Sequence, residues 1–189
     1  LVEVEGQSDI LTMGLPYICP YNVNSVMNPI LVACLGLGYF FNMYKGKPLV
    51  RKGGVVIMTH PTPWDFHPVH HPSYIDFFER VLSETTDPVL MSQNYEKSFA
   101  EDEWYRHLYR TSYAYHGVHP FYMWYWCSHA LDHLSDVIIV GGNTDAVRRM
   151  GFRSASTLQD AFEIASDSVG FSPSITHYHS PPILMADVT

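Results

Sequence analysis

Apolar positions along the chain fall into two patterns, short unbroken runs and longer stretches with apolar residues three and four apart. Asp9 to Leu15, Gly54 to Thr59, Asp136 to Val140 and Ser174 to Tyr178 are brief, mostly rich in β-branched or other apolar residues, and end at turn residues. Such runs predict strands buried on both faces, as in a parallel sheet. The longer stretches predict helices. Asn28-Pro29 opens the first, with Asn as cap and Pro at the first helical position, and the pattern carries it to Tyr44. Pro72-Ser73 opens the second, with Tyr74, Phe77, Phe78, Val81 and Leu82 as its stripe and Ser73 and Asp76 in capping-box spacing. A third runs from Phe121 to Leu134. In the last, Ser156 to Gln159 reads as a capping box, Leu158, Ala161, Phe162, Ala165 and Val169 form the stripe, and Gly170 closes the helix.

Strands alternating with helices specify an α/β fold: a three-layer, mostly parallel, Rossmann-like sheet with helices on both faces. Strand order is not in the pattern. Between Asp87 and His116 the periodicity lapses and aromatic residues multiply, so 87–118 reads as an insertion or lid, the start of an aromatic helical insertion.

One stretch, Val26 to Tyr44, is apolar enough to raise a membrane helix. At about 19 residues it barely reaches across a bilayer, and it contains Asn28, Pro29, Gly36, Gly38 and Asn42. A core helix covered by a sheet is favoured, so no membrane partner is expected. A length of 189 residues suits one α/β domain over 1–189. The net charge of -8, with no basic run, argues against nucleic acid and against an anionic membrane face. A small molecule or another protein is the expected partner. Three scattered cysteines, Cys19, Cys34 and Cys127, suggest neither a disulfide framework nor a thiolate zinc site, which points to a reducing, cytoplasmic setting. The chain opens Leu1-Val2-Glu3 without Met or a secretory h-region, so it reads as part of a longer protein.

Chemistry concentrates in the loop Thr59 to Tyr74, which follows a predicted strand and holds His60, His67, His70 and His71. Ligands of open α/β sheets gather beyond the carboxyl ends of such strands. Imidazoles are common ligands of zinc, nickel and iron, and His67, His70 and His71 are the weak metal candidates. Pro61, Pro63, Pro68 and Pro72 prevent them from sharing a helix face, and no glutamate stands among them as a base. Substrate contact or proton transfer is the favoured role. The loop after the first strand offers Asn22, Asn24, Ser25 and Asn28, uncharged groups suited to a hydroxyl or carboxylate, or equally to capping their own backbone.

His116 and His119 stand at the mouth of the aromatic helix, where the dipole disfavours their cations; they serve a neutral acid/base role or pack against Tyr115 and Trp124. Together with His60, His67 and His70, they and Trp124 complete the candidate substrate wall. His129 and His133 share a helix face without a third ligand, and His177 and His179 alternate to one side of the last strand. Gly141-Gly142-Asn143-Thr144 lacks the phosphate-loop pattern and reads as a turn and cap. No G-x-S-x-G elbow occurs.

The order of these pieces resembles the C-terminal half of the nickel-pincer lactate racemase family. The resemblance is carried by Asp9 to Pro16 with the Asn22-Val23-Asn24 loop, Val50 to Ile57, Ile75 to Glu79, Ser135 to Val140, Thr157 to Ala161, and Ser174 to His177, nearly the whole chain. It implies a racemase or epimerase acting on a 2-hydroxy acid by hydride removal and return at a nickel-pincer nucleotide. In that family the covalent lysine, the nickel histidine and both acid/base histidines belong to the N-terminal half, so that half is the implied partner and this chain alone would bind no cofactor stably. The implied contribution here is the second wall of the cleft, from Asn22 to Asn28. Lactate racemases have a Gln and a Lys in that segment, where this chain has Ser25, Met27 and Asn28. Without the lysine the natural carboxylate partner is gone, which counts against lactate itself.

Two other functions fit the residues. The aromatic segment 104–126 suits a non-catalytic binding or assembly domain, since Tyr and Trp anchor interfaces. The histidine loop suits a self-contained metal hydrolase.

Overall fold

The computed structural model describes residues 1–23, 25–179 and 185–189. Its main sheet has five parallel strands, β2 (Ser8–Gly14), β4 (Val50–Thr59), β5 (Asp136–Val140), β6 (Arg153–Ala155) and β7 (Ile175–Tyr178), in the order β6-β5-β4-β2-β7. A second sheet, missed in the sequence, pairs β1 (Val2–Val4) and β3 (Tyr44–Gly46) with β8 (Ala186–Val188). These strands have three residues each, too few to show a period, and they exist through pairings between distant segments.

Alternation along the strands divides the interior. Leu11, Met13, Val56, Met58, Val137 and Ile139 face the larger core, while Ile10, Val55, Ile57, Ile138 and Val140 face the smaller one. The larger core is covered by α1 (Pro29–Ala33), α2 (Pro72–Asp76), α3 (Pro88–Met91), α4 (Lys97–Glu101), α5 (Glu103–Thr111), α6 (His119–Tyr125), α7 (Ser128–His133) and α8 (Thr144–Arg149). The smaller is covered by α9 (Leu158–Val169), which packs on β4, β5 and β6. Right-handed crossovers require this split. Connections from β2 through β6 all step one way along the sheet, whereas α9 carries the chain back past β2 to β7. The reversal makes the gap between β2 and β7 the switch point of the sheet.

The structure corrects several boundaries. The first helix passes into a π-helical segment, Cys34–Phe40, and ends there, because Tyr44–Gly46 is drawn into the small sheet by β8. The Phe121 to Leu134 helix is two helices, α6 and α7, with a break at Trp126 and Cys127. Residues 88–111 are helical throughout except Asp102, with Asp87 and Asp102 as side-chain caps. The segment buries Met91, Phe99 and Tyr105 in the main core and so is built into the domain. The capping box of α9 is Thr157 with Asp160, one residue later than read, and Gly170 closes the helix at φ 80°. Ser73 does not cap α2; Asp76 instead accepts the Tyr105 hydroxyl. No helix among the described residues is long and apolar enough to cross a membrane.

Candidate functional site

All five parallel strands end on one side, and their carboxyl ends carry the loops that hold the candidate residues. The β2 loop is tied to itself. Asn22 is buried, accepts the Cys19 N–H and donates to the Tyr17 and Ser25 carbonyls, while Ser25 donates its hydroxyl to the Asn22 carbonyl. Asn28 caps α1 by accepting the Leu31 N–H, and its buried amide nitrogen is left without a partner. Asn24 lies outside the described residues. Among the described residues the segment is thus mainly a self-satisfying cap, with Asn28 Nδ2 as an uncommitted buried donor.

The β4 loop turns sharply. Thr62, fully buried, holds φ 41°, a left-handed conformation that costs a β-branched residue about 1–3 kcal/mol and tends to occur at functional sites. Its N–H donates to His60 Nδ1 at 2.9 Å, so the His60 proton resides on Nε2, where it is buried and unpartnered. Burial pushes the His60 pKa down to about 4. Tyr17 lies beside the ring, with centroids 5.2 Å apart.

Beyond it, histidines and tyrosines from four segments interlock. His67 Nδ1 accepts the His70 N–H, and its ring stacks on His70 at 4.1 Å. His70 Nδ1 bonds the Tyr113 carbonyl, and His71 Nε2 bonds the Tyr21 carbonyl. Since carbonyls only accept, both nitrogens carry protons. His71 is fully buried; desolvation lowers its pKa to about 4, the Tyr21 carbonyl opposing and the neighbouring His70 and His67 adding to the shift. Tyr115 stacks between His71, at 5.8 Å, and His119, at 4.2 Å. His119 in turn bonds the Tyr74 hydroxyl at 2.5 Å.

His119 also has its pKa lowered to about 4, with burial as the largest cause, followed by His71 and His116. Desolvation thus does what the helix dipole was expected to do. His116 sets its Nδ1 near the Val118 N–H, at 3.4 Å.

His67, His70 and His71 come close in space, with ring centroids 4.1 to 6.5 Å apart. Each has one ring nitrogen committed to a backbone group and the other left over, yet no group of three His, Cys, Asp or Glu among the described residues is arranged to hold a metal ion. The three cysteines are buried thiols, raised above their usual pKa by desolvation. Trp124 lies apart from the histidines. It is fully buried, stacks on Phe152 and donates its indole N–H to the Thr86 carbonyl at 2.9 Å.

His177 and His179, both exposed, do face one side as the alternation predicts, with centroids 6.4 Å apart. They line a crevice of about 370 Å³ with Thr12, Gly14, Leu15 and Leu158, at the switch point. A larger cleft, about 680 Å³, opens at the amino ends of the strands beside Trp124 and Asp136. Of its carboxylates, Asp87 caps a helix and Asp136 pairs with Arg153, while Asp132 is uncommitted among the described residues; catalytic loops of open sheets lie at the opposite end. Sequence reasoning placed the histidine loop and noticed the His177/His179 alternation. It missed Thr12 and the crevice, which only the adjacency of β2 and β7 creates.

No protein-family model matches the sequence, and no curated protein matches it. Among solved structures, the lactate racemase apoprotein from Thermoanaerobacterium thermosaccharolyticum superposes with a TM-score of 0.59 over 98% of this chain, at 17% identity. The chain spans 37% of the length of that protein. The domain therefore has a lactate-racemase-like fold.

Proposed function

We propose that this chain is the substrate-cleft domain of a racemase or epimerase of 2-hydroxy acids. The observation that carries the proposal is the coincidence of a lactate-racemase-like fold with a carboxyl-end face rich in neutral hydrogen-bonding groups. Buried imidazoles that stay neutral can bind and orient a hydroxy acid without trapping it in an ion pair. Among the described residues His60 Nε2–H and Asn28 Nδ2–H are buried donors still without acceptors, and Ser25, His67, His70 and His116 are partly exposed. Asn22 and His119 support that wall through their own hydrogen bonds.

The nickel-pincer nucleotide implied by the resemblance would supply a hydride acceptor. Among the described residues no three His, Cys, Asp or Glu side chains converge to hold its nickel. The chain's own part is to bind and position the acid, with a second domain as partner for the chemistry.

The test is chiral chromatography of single enantiomers of lactate, mandelate and phenyllactate incubated with the intact gene product, supplied with nickel and the pincer nucleotide. Interconversion of at least one acid is expected. Enantiomers that all stay unchanged with correctly folded, loaded protein would overturn the proposal.

A further inference from the structure

The switch-point crevice has features that the histidine loop lacks. It is an open space of about 370 Å³, within the range of small-molecule sites. It lies at the carboxyl ends of β2 and β7, with Leu158 at the start of α9 forming part of its wall. Its walls include Met13, Leu15, Pro16 and Leu158, and among the described residues no Asp, Glu, Lys or Arg lines it. The imidazoles of His177 and His179, with the Thr59 and Tyr178 hydroxyls, are thus the groups available to recognise a polar head.

One of them is held in place. Thr12 Oγ1 lies 2.7 Å from His177 Nδ1, on adjacent strands that pair Thr12 with His177 in register. Among the described residues the buried Thr12 hydroxyl has no other hydrogen-bond partner, and with Thr12 as donor to Nδ1 the ring presents its Nε2–H to the crevice. Asp9 anchors the other end of β7: the Ser174 hydroxyl and N–H that donate to it, and after them Arg51, keep its carboxyl down at about 2. The strand that presents the histidines is therefore fixed at its start and along its length.

We infer that this crevice binds a small carboxylic acid with an apolar or aromatic body. The carboxylate accepts from His177 Nε2–H and from His179, and the body lies against Leu15, Pro16 and Leu158. The crevice is separate from the His60 and Asn28 donors, so the inference goes beyond the proposed function and does not rest on it. It makes the site suited to acids larger than lactate, since the apolar lining adds affinity in proportion to the area it covers.

Histidine-detected NMR of the 189-residue chain tests this by titration with phenyllactate, hydrocinnamate and 3-phenylpropanol. Both acids are expected to shift the His177 and His179 imidazole resonances and the Gly14 and Tyr178 amides in a saturable way; the alcohol, lacking the carboxylate, should bind at least tenfold more weakly. His177→Ala is expected to lower acid affinity tenfold or more, and Thr12→Val, which frees the ring, several-fold, with unchanged melting temperatures. Shifts confined to 60–71, equal binding of the alcohol, or full affinity in His177→Ala would overturn the inference. Those results would leave racemisation by the intact protein to be judged by its own chiral assay, and failure of that assay with acid binding intact would remove the proposed function alone.

Discussion

Tyr74 and His119 form a polar pair that ties α2 to α6: the hydroxyl of the fully buried Tyr74 lies 2.5 Å from His119 Nδ1. Desolvation keeps Tyr74 protonated, so it is the donor and His119 the acceptor. Tyr74→Phe removes the donor and leaves a buried nitrogen unpartnered, at a cost of about 1–3 kcal/mol. Urea unfolding is expected to show that loss with an unchanged far-UV spectrum. An unaltered midpoint would mean that water or a neighbour replaces the tyrosine.

Acid should weaken the fold before most carboxylates titrate. His60, His71 and His119 have folded pKa values lowered to about 4, below the ordinary 6.5. The unfolded chain therefore binds more protons than the folded one between those values. Their contribution is fully present above pH 6.5 and falls as pH drops towards 4, by up to about 1.4 kcal/mol per pH unit for each histidine. Chemical denaturation at pH 7.5 and pH 5 measures this. Equal stabilities at the two pH values would show that these rings titrate normally.

Two tryptophans of the aromatic segment should behave oppositely. Trp124 is fully buried, and Trp124→Ala is expected to cost about 3–5 kcal/mol through cavity formation. Trp104 is 62% exposed, and Trp104→Ala should change stability by less than about 0.5 kcal/mol. Thermal melts of both variants decide. A mild Trp124→Ala would reopen a role for that ring outside the core.

Gly117 marks the closest approach between the aromatic segment and the chain leading into α6. A Cβ there would lie 2.2 Å from the Phe99 carbonyl oxygen, which is backbone and cannot swing aside. Gly117→Ala should cost about 1–3 kcal/mol by overpacking. The same change at Gly14, where a Cβ would meet nothing within 4 Å, serves as the control in parallel melts.

The elements that were legible in the sequence are those whose information is local. β5 spans Asp136 to Val140 as read, because a strand buried on both faces must be an apolar run. α9 was legible through its stripe and its Gly170 stop, and its capping box slipped by one residue because Ser156 and Thr157 are both competent caps. The small sheet was invisible, since Tyr44-Lys45-Gly46 has no strand pattern of its own and is extended only because β8 offers partners. The long aromatic helix was misjudged for the converse reason, as nothing in its spacing announces the break at Trp126 and Cys127.

The candidate site divides along the same line. By itself the sequence determined an α/β fold, a histidine loop at a strand's carboxyl end, and the shared side of His177 and His179, all of which follow from periods of two and 3.6 residues. Only the tertiary structure decided which nitrogens are free. It buried His60 and His71 until they lost their ready protonation, tied His67 and His70 to backbone groups, and placed Trp124 in the core. It also brought Thr12 to His177 across 165 residues of chain, because hydrogen-bond register between non-consecutive strands is set by the crossover of α9 and not by any local pattern.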